Sequence, residues 1–147
     1  MAGIDHDKVR KFYERVEEIW PKEDLWHMHS YKELNAFLHN LCFSPNAYIL
    51  NAGSGGNDYG LPHKMHRLDI AENKISNFEN HTVGNIELMP FSGKKFTDII
   101  CVGSVINYSD AMTAIAELAR VLIKKGRLVL EFESSGGYGY RGSKAYN

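Results

Sequence analysis

Three glycines follow a short apolar stretch in the segment AYILNAGSGGNDYG, residues 47–60, and they are the first residues whose types could form a binding site. Glycine adopts positive φ angles easily and lets a ligand come close to the backbone, so Gly53, Gly55 and Gly56 suit a ligand-binding turn. The next acid at the end of a predicted strand is Asp69, whose carboxylate can accept hydrogen bonds from both hydroxyls of a ribose. Together these residues predict a nucleoside site.

Three kinds of nucleoside ligand compete for this turn. A dinucleotide site requires G-x-G-x-x-G, but its third glycine falls on Asp58, whose charge would oppose a pyrophosphate. A P-loop requires G-x-x-x-x-G-K-[ST], and that pattern does not occur at the turn. S-adenosylmethionine (SAM) has a ribose without a phosphate and carries a positive sulfonium and amino group. The residues therefore favour SAM over NAD, ATP and GTP.

The elements that position this turn alternate between strands and helices. Five apolar runs are predicted as strands, at residues 47–50, 65–70, 81–86, 97–103 and 127–133. Two amphipathic helices precede them: one begins after Asp5 or Asp7 and ends just before Pro21, and one begins at Ser30. The fold expected is a three-layer α/β/α Rossmann-like sandwich with a mainly parallel sheet of about five strands and N-terminal helices.

The helix before the last strand has the clearest pattern in the chain. Asp110 is its predicted N-cap, and Lys124 and Lys125 are placed at its C-terminus, before Gly126. Its predicted buried face consists of Met112, Ile115, Leu118, Ala119 and Leu122.

Four segments, in order, resemble the motifs of the class I SAM-dependent methyltransferases (the methyltransferase-11/25-like group). YILNAGSGGN is similar to the first motif, with Asn51 in the usual acidic place and Asn57 in the place of the last glycine. HRLDI is similar to the second motif, VGNIELMPFSGKKFTDIICVGSVINYSD to the third block, and IAELARVLIKKGRLVLEFE to the last helix and strand. The resemblance spans about residues 47–133 and implies the Rossmann-like fold and SAM as cofactor.

The resemblance also implies the site residues. Asn51, Gly53 and Gly55 would border the methionine half of SAM, Asp69 would bind the ribose, and Asn85 with Ile86 would contact the adenine. The full set expected to bind the cofactor is Asn51, Ala52, Gly53, Ser54, Gly55, Asp69, Ile70, Asn85, Ile86 and Gly103.

No catalytic residue is assigned from the sequence, but four are candidates. Asn107 and Tyr108 follow the fourth predicted strand, where the family places groups that face the methyl-transfer centre. His27 or His29 could serve as a general base, since transfer to oxygen or nitrogen often requires removal of a proton. The pair His27-x-His29 lacks a third spaced ligand, so no metal site is predicted.

The chain departs from the family pattern at three places. Asn51 lacks the charge that would favour the ammonium group of the ligand. Residues 57–64 are too short and too interrupted by glycine and proline for the helix that usually follows the glycine turn. The two strands that usually come last are also missing, so either the chain is a fragment or a dimer partner or other protein completes the open sheet edge.

We therefore expect a lid or cap of helices at residues 1–45, a SAM-binding core at 46–133, and a Gly/Ser/Tyr-rich flexible tail at 134–147. Aromatic residues and histidines concentrate in the first segment, which could close over cofactor and substrate. Tyr13 and Trp20 are expected mostly to pack against the sheet.

Composition bears on whether the protein binds nucleic acid or spans a membrane. The 147 residues include 17 basic and 18 acidic side chains and carry a net charge of −1, which does not favour broad binding to nucleic acid. We expect a cytoplasmic protein, because no signal-peptide pattern and no apolar run of membrane-spanning length occurs in it. Cys42 and Cys101 are expected to be reduced core residues.

The function predicted is a SAM-dependent methyltransferase that transfers a methyl group to nitrogen or oxygen of a small-molecule acceptor. The alternative is a catalytically inactive relative that serves as a binding or scaffolding domain. An oxidoreductase that uses nicotinamide is the weakest reading, because of Asp58.

Overall fold

A computed structural model describes residues 3–134 of the chain. Its elements, in chain order, are α1 (His6–Arg15), α2 (Leu25–Asn40), β1 (Tyr48–Ala52), β2 (Lys64–Asp69), α3 (Glu72–Ile75), β3 (His81–Val83), β4 (Phe96–Cys101), a 3-10 helix (Val105–Tyr108), α4 (Ala111–Val121) and β5 (Leu122–Leu130). The tail predicted at 134–147 lies, apart from its first residue, outside the described residues.

The five strands form one parallel sheet in the order β3-β2-β1-β4-β5. One buried cluster fills the face covered by α4 and includes Leu50, Ile99 and Leu118. A second cluster fills the opposite face under α2 and includes Leu38 and Ile49. Because consecutive residues of β1 point into different clusters, both faces of the sheet are covered, and the predicted three-layer Rossmann-like sandwich is confirmed.

The N-terminal helices differ from the predicted ones. Helix α1 is capped by Asp5, which is one of the two N-caps predicted from the sequence. It ends at Arg15 instead of just before Pro21. Helix α2 begins at Leu25 rather than at Ser30, because the Asp24 carboxylate accepts from two backbone N–H groups of its first turn. Residues 16–24 are therefore a non-helical connection that contains several bends and a turn at residues 21–24.

Tertiary contacts explain why α1 stops early. The Lys74 ammonium donates to the Val16 carbonyl, and the Asn73 side chain donates to the Glu14 carbonyl at 2.8 Å. Val16 itself has extended backbone angles, with φ −70° and ψ 120°. The helical spacing of apolar residues continues past Arg15, but these bonds hold the chain against α3 in a non-helical path.

The helix before the last strand is also placed differently. Asp110 caps α4 as predicted, but the buried side chains are Ala114, Leu118 and Val121, while Met112 is 79% exposed. The helix ends at Val121, so Lys124 and Lys125 belong to β5 and not to the helix terminus. Leu118 is buried as predicted, but Met112 and Ile115 lie on the exposed side of the helix. Leu122 belongs to β5, where it pairs with Phe96.

Three smaller points complete the fold. Residues 53–63 contain no helix, which confirms that the stretch after the glycine turn is too short for one. Cys101 is buried as predicted, whereas Cys42 is exposed, because it follows α2 in a turn at the surface. Within residues 3–134, no helix is both long and apolar enough to cross a membrane.

Candidate functional site

A cavity of about 220 Å³ lies beyond the carboxyl ends of the strands, where β1 and β4 leave the sheet in opposite directions. This switch point is where open α/β sheets bind their ligands. Eight of the ten residues predicted to bind a cofactor line the cavity, and they are Gly53, Ser54, Gly55, Asp69, Ile70, Asn85, Ile86 and Gly103. The structure therefore brings these eight residues together at one cavity.

The glycine turn is held by the neighbouring strand. The N–H groups of Gly53 and Ser54 donate to the Leu68 carbonyl at 2.7 and 3.1 Å, and Gly53 has φ +72°. A methyl group added at Gly53 would lie 2.5 Å from both side-chain methyls of Val105. Glycine is thus required at this position by backbone angle and by packing against protein atoms, and not only by the approach of a ligand.

Asp69 ends β2 and fixes the turn from the other side. Its Oδ2 accepts from the Gly55 N–H at 2.7 Å, and its Oδ1 accepts from the Ala71 N–H at 2.8 Å. Burial raises the pKa of this carboxyl group, and the backbone hydrogen bonds partly oppose the rise. Each carboxylate oxygen can accept a further bond, so Asp69 retains acceptor capacity toward hydroxyl groups in the cavity.

The structure does not bring Asn51 and Ala52 to the cavity wall, since both are buried in the sheet. The Asn51 amide donates to the Asn57 carbonyl at 2.8 Å and contacts the Met65 sulfur at 3.6 Å. Asn57 in turn accepts from the Tyr59 N–H through its side chain, at 2.8 Å. Asn51 therefore stabilises the loop after the glycine turn, and its side chain faces away from the place predicted for the methionine half.

Asn85 and Ile86 line the end of the cavity next to β2 and β3. The Asn85 side-chain oxygen accepts from the Glu87 N–H at 2.9 Å, which leaves its amide N–H groups as the free donors. Ile86 is buried, at 6% exposure, and offers an apolar surface. This combination suits a flat heterocycle that needs one polar edge.

Of the four catalytic candidates, Tyr108 and His27 line the cavity, whereas Asn107 and His29 do not. The Asn107 side chain bonds to the backbone of Glu133 in both directions, at 2.8 and 3.0 Å, so it anchors the chain after β5. His29 is exposed on α2. His27 Nδ1 lies 2.8 Å from a carboxylate oxygen of Asp24, and its ring meets Trp20 edge-on at 6.3 Å.

Aromatic side chains cover the cavity from the N-terminal segment. Tyr13, Trp20 and Trp26 all line it, and Tyr13 meets Tyr108 edge-on across it at 5.6 Å. Burial raises the pKa of the Tyr13 phenol, with Tyr108 and the Asp69 carboxylate adding to the rise. Tyr13 and Trp20 were predicted mostly to pack against the sheet, but they form part of the site wall as well.

Sequence reasoning missed Glu131 and Glu133, which follow β5 and line the cavity. The rule that selected Asp69, an acid at the end of a parallel strand, also applies to the end of β5 and would have found Glu131. Tyr59 was missed as well, because it lies in the loop after the glycines and no motif indicates it. Its ring stacks on Tyr31 at 5.8 Å, beneath Trp20.

The lining carries carboxylates and histidines, and no Lys or Arg belongs to it among the described residues. Such a wall suits a ligand that is neutral or positive and has no phosphate, which fits SAM. Asp58, predicted to repel a pyrophosphate, instead forms an ion pair with Arg67 and lies outside this cavity. The carboxylates of the lining, and not Asp58, would therefore repel the pyrophosphate of a dinucleotide.

Within residues 3–134, no three His, Cys, Asp or Glu side chains are grouped to hold a metal ion. The groups of the lining that could contact a ligand are its hydrogen-bonding groups, its aromatic rings and its carboxylates.

Fold and site together define a Rossmann-like α/β domain with a nucleoside-type cavity at its switch point. A family model described as "Methyltransferase domain" matches residues 50–130, which is more than half of the chain. The chain belongs to this methyltransferase family. The resemblance read from the four motifs is confirmed.

Solved structures support the same fold. YcgJ of Bacillus subtilis is 24% identical and has a TM-score of 0.56, with 69% of this chain and 49% of that chain covered. A SAM-dependent methyltransferase of Thermotoga maritima is 22% identical, with a TM-score of 0.61 and coverage of 81% and 59%. The cyclase SpnF is 14% identical, with a TM-score of 0.66 and coverage of 86% and 61%.

This chain thus spans about half to three-fifths of the length of these structures. No curated protein matches it in sequence.

Proposed function

We propose that the protein binds SAM in this cavity and transfers its methyl group to nitrogen or oxygen of a small molecule. The observation that carries the proposal is the meeting of Asp69 with the glycine turn, in a cavity whose described lining has no basic residue but several carboxylates. Membership of the methyltransferase family supports the same reaction.

Different residues along the cavity would bind different parts of SAM. Bound SAM would supply an electrophilic methyl group. Asp69 would hold the ribose hydroxyls, Asn85 and Ile86 the adenine, and the turn at Gly53 would border the methionine half. The contribution of the protein is to hold the acceptor in line with the methyl carbon and to exclude water, a contribution that can remove a large part of the barrier.

The N-terminal segment supports the exclusion of water. Tyr13, Trp20 and Trp26 cover the cavity, and the segment between α1 and α2 is tied to α3 by Asn73 and Lys74. We propose that this part of the chain acts as a lid. Helix α2, however, also forms one layer of the sandwich through Leu34 and Leu38, so the lid comprises α1 and the connection rather than all of residues 1–45.

The cover of the cavity supports a small acceptor. Tyr13, Trp20 and Trp26 cover the cavity, and such an aromatic cover suits a small molecule that the site can enclose. His27 is our candidate for the base that takes a proton from the acceptor, because its ring lines the cavity and its Nδ1 lies 2.8 Å from a carboxylate oxygen of Asp24.

A second candidate function is a domain that binds SAM without catalysing transfer. Asn51 favours it, since the amide in the usual acidic place is turned into the core and supplies no charge to the ligand. The two candidates share the cofactor and differ in turnover.

A two-stage experiment tests the proposal. In a thermal-shift panel, SAM and S-adenosylhomocysteine should raise the melting temperature and NAD should not, because a ligand that binds only the folded state stabilises it. Formation of S-adenosylhomocysteine from SAM with an acceptor panel then separates the candidates. Binding without product supports the non-catalytic domain, and no response to either ligand contradicts both.

We also propose that a further strand pairs with β5. In the described chain β5 stands at one edge of the sheet, and Phe132 just beyond it is 59% exposed. An open edge of nine residues invites pairing with another segment or a second copy. We propose a second copy as the partner, and sedimentation analysis of the chain at increasing concentration tests this: reversible self-association supports pairing of two copies at β5, and a monomer at all concentrations contradicts it.

A further inference from the structure

The position that normally carries the acid of the first motif holds an uncharged residue, Asn51, in this protein. Asn51 is 1% exposed, and its amide nitrogen is engaged by the Asn57 carbonyl and the Met65 sulfur. A ligand with an ammonium group would therefore gain no charged partner from the end of β1. Unless another carboxylate replaces it, binding of the methionine half of SAM would depend on neutral groups alone.

Glu131 is placed to supply that carboxylate. Its backbone N–H donates to the Cys101 carbonyl at 3.1 Å, which continues the pairing of β5 with β4 and puts Glu131 at the carboxyl end of the sheet. Its Oε2 accepts from the N–H groups of Gly103 and Ser104, at 2.5 and 2.9 Å. No hydrogen bond from residues 3–134 reaches Oε1, and the side chain lines the same cavity as Gly53.

The position of this carboxylate also matches the length of the ligand. Because Glu131 reaches back over the end of β4, its carboxylate lies about two strand spacings from β2, or ~10 Å. Asp69 stands at the end of β2. An extended SAM molecule, held by its ribose at Asp69, can direct its amino-acid chain across β1 toward Glu131.

The other cavity carboxylates are less suitable. Both oxygens of Asp69 already accept backbone N–H groups on the ribose side. The Glu133 carboxylate contributes to the raised pKa of the Tyr13 phenol, and among the described residues no hydrogen bond holds it at the end of β4. The lining described here holds no Lys or Arg that would neutralise Glu131.

We propose that Glu131 binds the ammonium group of the methionine half of SAM and so replaces the acid that is absent at Asn51. This inference rests on the proposed function. It assigns to the end of the fifth strand a binding role that the motif places at the end of the first.

Calorimetric titration with three ligands tests the assignment. SAM and S-adenosylhomocysteine both carry the ammonium group, whereas 5′-methylthioadenosine lacks it. Glu131→Gln keeps an oxygen for the Gly103 and Ser104 N–H groups but removes the charge. We expect binding of SAM and S-adenosylhomocysteine to weaken about 10- to 100-fold and binding of 5′-methylthioadenosine to stay within about twofold.

Glu117→Gln is the matched control, because it also removes a carboxylate charge and keeps an oxygen for a backbone N–H, that of Met89, but lies outside the cavity. It should change the affinity for all three ligands by less than about threefold. The assignment is overturned if Glu131→Gln weakens all three ligands equally, affects SAM alone, or has no effect, and also if Glu117→Gln weakens binding as much. If the unchanged protein binds none of the ligands, the proposed function itself fails.

Discussion

Replacement of Asp69 by Asn should reduce both ligand affinity and stability, by amounts that the structure allows us to calculate separately. The side chain is 8% exposed, and its two oxygens accept the Gly55 and Ala71 N–H groups. Asn retains one acceptor oxygen, so one of these two hydrogen bonds is lost, and the new side-chain NH₂ group faces a backbone N–H. A hydrogen bond to a charged group contributes about 1.5–3 kcal/mol, and the free energy of unfolding should fall by that amount.

Ligand binding should fall by a comparable free energy. A carboxylate can accept from both ribose hydroxyls, whereas an amide can accept from one only, so about 1.5–3 kcal/mol of binding is lost. At 1.4 kcal/mol per factor of ten, the dissociation constant of SAM should rise about 10- to 150-fold. Calorimetry at a temperature well below the melting point of the variant measures this change on folded protein.

Asp98→Asn is the matched control for this experiment. Asp98 is 7% exposed and accepts from the Arg127 guanidinium at 3.2 Å and the Thr97 hydroxyl at 2.8 Å, but it lies outside the cavity. It should therefore lose stability and keep its affinity for SAM. If folded Asp69→Asn binds SAM as tightly as the unchanged protein, or if Asp98→Asn loses as much affinity, the assignment of Asp69 is refuted.

Two further predictions concern stability. Gly53→Ala should destabilise the fold by about 2–5 kcal/mol, the sum of a left-handed backbone penalty and a 2.5 Å clash with Val105, as measured by urea unfolding. Adding Val105→Ala should relieve the clash and restore that part of the stability, but not the part lost through the backbone angle. If the double variant is as unstable as Gly53→Ala alone, the packing argument is contradicted. The pKa of His66 is lowered from its usual 6.5, mainly by burial and then by Lys95. Because the folded state prefers neutral imidazole, stability should be complete above about pH 6.5 and decline as the pH falls through 6.5 toward the folded pKa. His66→Gln should flatten that decline in chemical unfolding, and an unchanged pH profile would show that His66 does not cause it.

The sequence predicted the centre of the fold, and the site residues it proposed lie mostly at one cavity, because both predictions rest on local patterns. Apolar runs separated by helical spacing are sufficient to indicate a parallel sheet, and a glycine turn followed by a strand-end acid is sufficient to locate Asp69. Asn51 shows the limit of motif reasoning. The residue occupies the motif position, yet the direction of its side chain is set by the loop at Asn57, which no pattern reveals.

The errors arose where tertiary contacts override periodicity. The spacing of apolar residues in the first helix continues through Trp20, but Asn73 and Lys74 bind the carbonyls at its end and draw the connection across the cavity. Glu131 was missed because the strand-end rule was not applied to the last strand. Its contacts with the N–H groups of Gly103 and Ser104 could not be predicted, because they appear only when the strand order is known.

The central claim is that the cavity beside Asp69 accepts SAM and excludes a dinucleotide, and direct calorimetric titration of the unchanged chain tests it. We predict saturable binding of SAM at one molecule per chain, and no binding of NAD under the same conditions. Binding of NAD without binding of SAM, or no binding of SAM at all, would contradict the account.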